Sequence, residues 1–459
     1  MKQSKPVKRV VLAYSGGLDT SIIVHWLKRQ YGCEVICYCS DVGQGAELEG
    51  LAERARRLGA DQVVVEDLRM TFVRDYCFPA LKAGAVYEGR YLLGTSLARP
   101  LIAARQVACA LEHGADAVAH GCTGKGNDQV RFELTYMSLA PELTVLAPWR
   151  DPAWTIRSRE DALAYAAEHG LEVQQTAKDL YSRDGNLWHL SHEGGVLEDP
   201  AHAPEEDMFR LTAGAAAQPA EPERITIGFE AGRPIALDGR ELDPVTLVAE
   251  LNLRAAKHGV GRTDLVESRL VGMKSRGVYE TPAGTVLHEA IEDLCRLVLP
   301  HDLHRTRATL ALQMADLIYS GQWFSPLRRA LQAFVDNALQ PATGTVTVAL
   351  HHGQAQAIAR TSPMSLYRNQ LASFDMTGYD AGHAEGFIRL FGMPLAAASQ
   401  RGPRKTPMPV SANGSAYAPP AANGTGVNGT NGAKANGTNG TAAKSAKPKP
   451  RATEVTHAG

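Results

Sequence analysis

The sequence predicts an α/β protein with an N-terminal doubly wound parallel sheet, a C-terminal α+β domain and a disordered tail. Three observations predict it. Short apolar runs alternate with helical patterns through roughly the first 150 residues, as in βαβ units. Strand-like segments then mix with long amphipathic helices, and from Gly402 onward the composition changes to Pro, Asn, Gly, Thr and Ala with a few lysines. As domains these are residues 1–172, 173–400 and 401–459.

In order, residues 10–14, 35–39, 62–65 and 117–120 read as strands. Between them lie helices over 20–30, where Ile22, Ile23, Trp26 and Leu27 recur at helical spacing, and over 46–58. A further helix covers 161–169. In the second domain, 225–230 and 345–350 read as strands, and 244–258, 285–297 and 305–340 as helices. The stretch 213–223 is rich in Ala, Pro and Gln and reads as a surface loop. The tail repeats Asn-Gly-Thr and has too little apolar surface to offset the entropy of ordering.

Composition narrows the function. With 459 residues, 44% hydrophobic and 21% charged, the chain buries more core than one domain needs. A net charge of -1 gives no basic field for a polyanion, so no nucleic-acid partner is expected. No apolar run is long enough for a membrane span. The basic start leads into an apolar segment too short for a secretion signal, so no membrane partner and a cytoplasmic location are expected. The 7 cysteines are odd in number and scattered, unlike a disulfide framework. Cys37 and Cys39 share one face of a strand, and no second Cys or His cluster supports a zinc site with Cys33. The pairs His301/His304 and His189/His192 lack a third ligand nearby, so no metal-binding residues are assigned.

The first strand runs into Ala13, Tyr14, Ser15, Gly16, Gly17, Leu18, Asp19, Thr20 and Ser21, followed at once by a helix. Adjacent glycines let backbone N–H groups converge on an anion, the hydroxyls of Ser15, Thr20 and Ser21 add donors, and the helix amino end adds partial positive charge. The loop has neither the Walker spacing nor the dinucleotide Gly-x-Gly-x-x-Gly. An ordinary strand-to-helix turn, with glycine supplying positive φ, is the alternative reading.

This Ser-Gly-Gly-x-Asp-x-Ser loop resembles the pyrophosphate loop of the ATP pyrophosphatases, with their adenine nucleotide alpha hydrolase-like fold. Three further segments, 90–100, 120–133 and 272–284, resemble argininosuccinate synthases, and the resemblance covers roughly residues 8 to 395. It implies that ATP, citrulline and aspartate become AMP, pyrophosphate and argininosuccinate through citrullyl-AMP, in arginine biosynthesis or the urea cycle. ATP is then a substrate, and Mg2+ is expected with it.

The resemblance implies that Ser40 and Gly121 join the loop in holding ATP, with Asp41 an alternative for the ribose. Thr123, Asn127 and Asp128 would hold aspartate, with Asp128 accepting from its ammonium. Tyr91, Ser96, Asn127, Arg131, Ser182, Ser191, Glu267 and Tyr279 would hold citrulline. Ser15, Asp19 and Asp128 are candidate positioning residues. No general base is assigned; phosphate, Asp128 or solvent could take the amine proton. Arg99, Arg105, Lys274 and Arg276 read equally as structural ion pairs or solvated side chains. Family members are homotetramers, and 379–398 is similar to the arm that wraps a neighbour.

Two competing readings have discriminating features. An amide-forming or tRNA-thiolating adenylating enzyme would need an amidotransferase domain or a basic surface. A non-catalytic nucleotide sensor would carry degraded acceptor positions, whereas Thr123, Asn127, Asp128, Arg131, Glu267 and Tyr279 are all present.

Overall fold

The computed structural model describes residues 6–173, 181–373 and 378–401. The expected tail, from 402 onward, lies outside the described residues. The chain divides into two units, Met1–Gly378 and Tyr379–Gly459.

In the first unit the chain opens with β1 (Arg9–Ala13), α1 (Leu18–Tyr31), β2 (Glu34–Asp41), α2 (Leu51–Arg57) and β3 (Gln62–Asp67). Short helices α3 (Arg69–Phe72) and α4 (Phe78–Ala83) lead to α5 (Gly94–Glu112), β4 (Ala117–Ala119), α6 (Asp128–Leu139), β5 (Thr144–Leu146) and α7 (Arg159–Glu168). The five strands form one sheet in the order β3-β2-β1-β4-β5, every neighbouring pair parallel.

Strand alternation explains why the sheet is covered on both faces. Val10, Leu12, Val35, Cys37 and Cys39 pack against Ile22, Ile23 and Leu27 of α1 and Leu51 of α2. Val11, Ile36 and Tyr38 pack against Val107 of α5 and Phe132 and Tyr136 of α6. Each fully buried aliphatic side chain contributes about 2 kcal/mol, so apolar strands of this kind are stable only when helices cover both sides. Cys37 and Cys39 do share one face, and burial pushes the Cys37 thiol well up. The order reverses between β1 and β4, which puts a crevice above the carboxyl ends of those two strands.

The chain continues with β6 (Ser182–Gly185), β7 (Leu190–Glu193), β8 (Glu223–Glu230), β9 (Arg233–Leu237), β10 (Arg240–Glu241), α8 (Pro244–Lys257), β11 (Arg262–Ser268) and β12 (Lys274–Glu280). It ends with α9 (Pro282–Val298), α10 (His301–Tyr319), α11 (Pro326–Ala338), β13 (Gly344–His351), β14 (Gln354–Thr361) and the short α12 (Asn369–Ala372). Two antiparallel sheets result, β11-β12-β7-β6 and β10-β9-β8-β13-β14.

Two expected helices are divided. Instead of one helix over 46–58, a 3-10 turn, Gly45–Leu48, precedes α2. Instead of one over 305–340, α10 stops at Tyr319 and α11 restarts at Pro326. The Ser325 side chain accepts from the Arg328 N–H and proline takes the first helical position, a cap that fixes a new helix start inside a continuous apolar pattern.

The second unit contains helix α13 (Gly382–Ser399). Its Phe387, Ile388, Leu390, Phe391, Met393 and Leu395 are all exposed. No helix among the described residues is long and apolar enough to cross a membrane.

Candidate active site

The loop after β1 is shaped by its own groups. Gly16 has a φ of 78°, a conformation that side chains disfavour, and Gly17 caps α1 without a side chain. Ser15 Oγ lies 3.1 Å from Thr20 Oγ1, and the Thr20 hydroxyl donates to the Gly17 carbonyl at 3.3 Å. The loop after β4 touches it: a Cβ on Gly121 would come within 3.0 Å of Thr20 Cγ2 and 3.2 Å of Ile23 Cδ1. A side chain there would push against both, and the two loops line one crevice.

A cavity of about 730 Å³ occupies the crevice. Ala13, Tyr14, Ser15, Gly16, Gly17, Asp19, Thr20, Ser40 and Gly121 line the side of it formed by the ends of β1, β2 and β4. Leu18 packs into the α1 core, and Ser21 is buried 3.5 Å from the Tyr14 hydroxyl, so neither side chain reaches the cavity wall. Gln44, which the sequence did not single out, also lines the cavity and bridges the turn after β2, donating to the Ser40 carbonyl at 2.7 Å and accepting from the Val42 N–H at 2.7 Å.

Thr123, Asn127, Asp128 and Arg131 form the next stretch of wall, from the β4 loop and the start of α6. Asp128 is held from two sides: Arg99 Nε donates at 2.8 Å and Arg131 Nη1 at 2.7 Å. Burial works against the ionised form, but the two guanidiniums outweigh it and bring the carboxyl to about 2. Arg99 also donates to Asp184 at 2.7 Å, which places it in a half-buried ion-pair chain, while Arg105 pairs with Glu66 at 2.7 Å. Arg276 pairs with Asp264 at 2.6 Å, and Lys274 donates to the Ser268 hydroxyl.

The opposite wall is one face of the β11-β12-β7-β6 sheet. Ser182 pairs with Glu193, Asp184 with Ser191, and Ser191 in turn with Tyr279. Glu267 pairs with Ser275, an even number of positions from Tyr279, so with a period of two all seven of these side chains share a face. Ser182, Asp184, Ser191, Glu193, Glu267 and Tyr279 all line the cavity. Tyr279 donates to Glu267 at 3.1 Å and stacks on Tyr91 at 4.4 Å between ring centroids. Burial raises the Glu267 and Glu193 carboxyls, Arg269 opposing the rise at Glu193 from 2.7 Å. Ser96 is fully buried behind this wall and does not line the cavity.

One residue absent from every motif joins the two walls. The Tyr319 hydroxyl accepts from Asn127 Nδ2 at 2.8 Å and donates to Glu267 at 2.9 Å, while its carbonyl accepts from Arg131 Nε at 3.0 Å. Its ring lies 3.6 Å from that of Tyr87 between centroids. No spacing signal marks it, because it acts as the last residue of a helix read only as amphipathic.

Three of the four paired histidines have protein partners. His189 is buried with Nε2 2.9 Å from the Thr95 hydroxyl, His192 pairs with the fully buried Glu280 at 2.8 Å, and His304 pairs with Glu292 at 2.8 Å.

Two family models match the chain: the arginosuccinate synthase N-terminal HUP domain over residues 9–172 and the arginosuccinate synthase C-terminal domain over 181–398. Among curated relatives, the argininosuccinate synthase of Roseiflexus sp. (strain RS-1) is 58% identical over 394 residues, 85% of this chain and 96% of its own length. The chloroplastic argininosuccinate synthase of Arabidopsis thaliana is 56% identical over 391 residues, 85% of this chain and 79% of its own length. That of Carboxydothermus hydrogenoformans is 55% identical over 389 residues, 84% of this chain and 96% of its own length. A parallel sheet with a glycine-rich loop at its switch point, faced by a polar antiparallel sheet, is the architecture of a HUP-domain ligase. The chain belongs to the argininosuccinate synthase family, which joins citrulline and aspartate in arginine biosynthesis while converting ATP to AMP and pyrophosphate.

Proposed function

We propose that the crevice between the two walls divides the reaction in space, with nucleotide over the β1 and β4 loops, aspartate against Thr123–Asp128 and citrulline against the β11-β12-β7-β6 sheet. The observation that carries this reading is that Ser15 and Gly16, Thr123 and Asp128, and Ser182 and Tyr279 all line one cavity. The ureido oxygen of citrulline attacks the α-phosphorus, forming an O–P bond as the α–β anhydride breaks, and pyrophosphate leaves from the Ser15–Ser21 loop. The amine of aspartate then attacks the ureido carbon of citrullyl-AMP and displaces AMP.

Catalysis in this scheme is positioning and charge neutralisation. Asp128, kept ionised by Arg99 and Arg131, orients the incoming ammonium but is a weak base, so a phosphate oxygen or solvent takes the amine proton. Tyr279 and Tyr319, both donating to Glu267, hold that carboxylate toward the citrulline side. Asp19, exposed at the start of α1 and lining the cavity, fits a divalent cation carried by the phosphates, which would neutralise their charge.

The exposed apolar face of α13 supports a homotetramer in which this helix lies against a neighbouring copy, and the free cysteines among the described residues suit a cytoplasmic location. The test is a substrate-omission assay with ATP and Mg2+. Pyrophosphate should require citrulline, and argininosuccinate should require aspartate as well; ATP cleavage indifferent to citrulline would overturn the assignment.

A further inference from the structure

The loop between Ser15 and Ser21 offers hydroxyls, N–H groups and a helix end, but it contains no lysine or arginine. A triphosphate carries about four negative charges, and neutral donors alone neutralise them poorly. The other arginines that line the cavity have partners away from the loop, Arg99 in Asp128 and Asp184, Arg131 in Asp128, Arg269 in Glu193 and Arg183 in His192.

One guanidinium reaches the loop from another element. Leu51 and Arg54 lie three residues apart on α2 and so share a face of that helix. That face rests on Gly16: a Cβ there would meet Leu51 Cδ1 at 3.2 Å and Arg54 Nη2 at 3.3 Å. Arg54 is half-buried, lines the cavity, and is oriented by Nη1 donating to the Glu49 carbonyl. Its planar fork can meet two phosphate oxygens at once, which a point charge cannot do.

We propose that Arg54 binds the β and γ phosphates of ATP and stays with them as pyrophosphate leaves, an assignment that rests on the nucleotide reading of the crevice. It neutralises the charge that grows on the departing β-phosphate when the α–β bond breaks. Packing of Leu51 against Gly16 sets its position, so the turn that divides the expected helix over 46–58 also aims a side chain at the loop.

The experiment compares full-length wild type, Arg54→Ala and Arg54→Lys by calorimetry with two probes, magnesium pyrophosphate and AMP, alongside KM values for ATP, citrulline and aspartate. Losing a charge-assisted phosphate contact should weaken pyrophosphate binding and raise the ATP KM by about ten- to a hundredfold. AMP binding and the citrulline and aspartate KM values should stay within about twofold, and lysine should restore part of the loss. Pyrophosphate affinity unchanged in Arg54→Ala would overturn the proposal, as would equal weakening of pyrophosphate and AMP, which would mark Arg54 as support for the whole loop. If wild type binds neither probe, the nucleotide reading of the crevice fails first.

Discussion

Arg99 and Asp128 meet across α5 and the start of α6, with Nε 2.8 Å from Oδ2, and this contact fixes the ionisation of the carboxylate at the centre of the cavity. Because Arg131 takes the other oxygen, removing the charge of Asp128 leaves two largely buried guanidiniums without their shared partner.

Asp128→Asn should therefore cost stability as well as function. The expected stability loss is about 2 kcal/mol, read by chemical denaturation, with a rise of about tenfold or more in the aspartate KM. The carboxyl is depressed to about 2, so its contribution is complete above its ordinary value and is lost only as pH falls through about 2. Titration of Asp128 should therefore leave no inflection in rate between about pH 5 and 8.

Tyr319→Phe removes one hydroxyl that serves both walls. Asn127 loses an acceptor and Glu267 a donor, each in a buried setting. A hydrogen bond to a charged group contributes about 1.5–3 kcal/mol, so the citrulline KM should rise by about tenfold or more. The ring contact with Tyr87 is retained, so the melting temperature should move little beside the change in KM. An unchanged KM would remove Tyr319 from the account.

Glu280 makes the sheet sensitive to acid. Its carboxylate lies on the face opposite the cavity, fully buried, and accepts from His192, from the Arg210, Leu211 and Thr212 N–H groups and from the Thr212 hydroxyl. Burial opposes ionisation, but these donors outweigh it and bring the group to about 2. A depressed carboxyl stabilises the fold above its ordinary value near 4.5 and loses that contribution as pH falls toward about 2. Stability against denaturant should fall by on the order of 3 kcal/mol across that window from this group. Glu280→Gln should be less stable at neutral pH and show a flatter acid limb; parallel limbs for the two proteins would contradict this.

What the sequence discloses follows the range of the interactions. The first four strands and the loop after β1 are legible because apolar periodicity and glycine placement are local. The convergence of Ser182, Ser191, Glu267 and Tyr279 has no local signal: it depends on β12 pairing with β7 across a long stretch of chain, and those residues entered the reading through resemblance alone. The sequence reads as one continuous helix over 305–340 because α10 and α11 are both amphipathic, although Ser325 followed by Pro326 carries the start signal that divides them. Tyr319 carries no sequence signal because it acts through hydrogen bonds to groups that only the fold brings close, and Gln44 carries none because its partners are backbone groups of its own turn. Leu18, Ser21 and Ser96 show the reverse case, motif positions whose side chains support the wall from behind.

The proposed division of the cavity into an aspartate side and a citrulline side is tested most directly by single-turnover kinetics on Thr123→Ala, a cavity-lining residue on the wall proposed to hold aspartate. With ATP, Mg2+ and citrulline, the variant should form pyrophosphate at a rate within about twofold of wild type, while argininosuccinate formation after aspartate is added should slow by about tenfold or more. Tyr279→Phe, on the opposite wall, should slow pyrophosphate formation itself. If Thr123→Ala slows the citrulline-dependent release of pyrophosphate as much as it slows argininosuccinate formation, the proposal that the two substrates occupy separate walls fails.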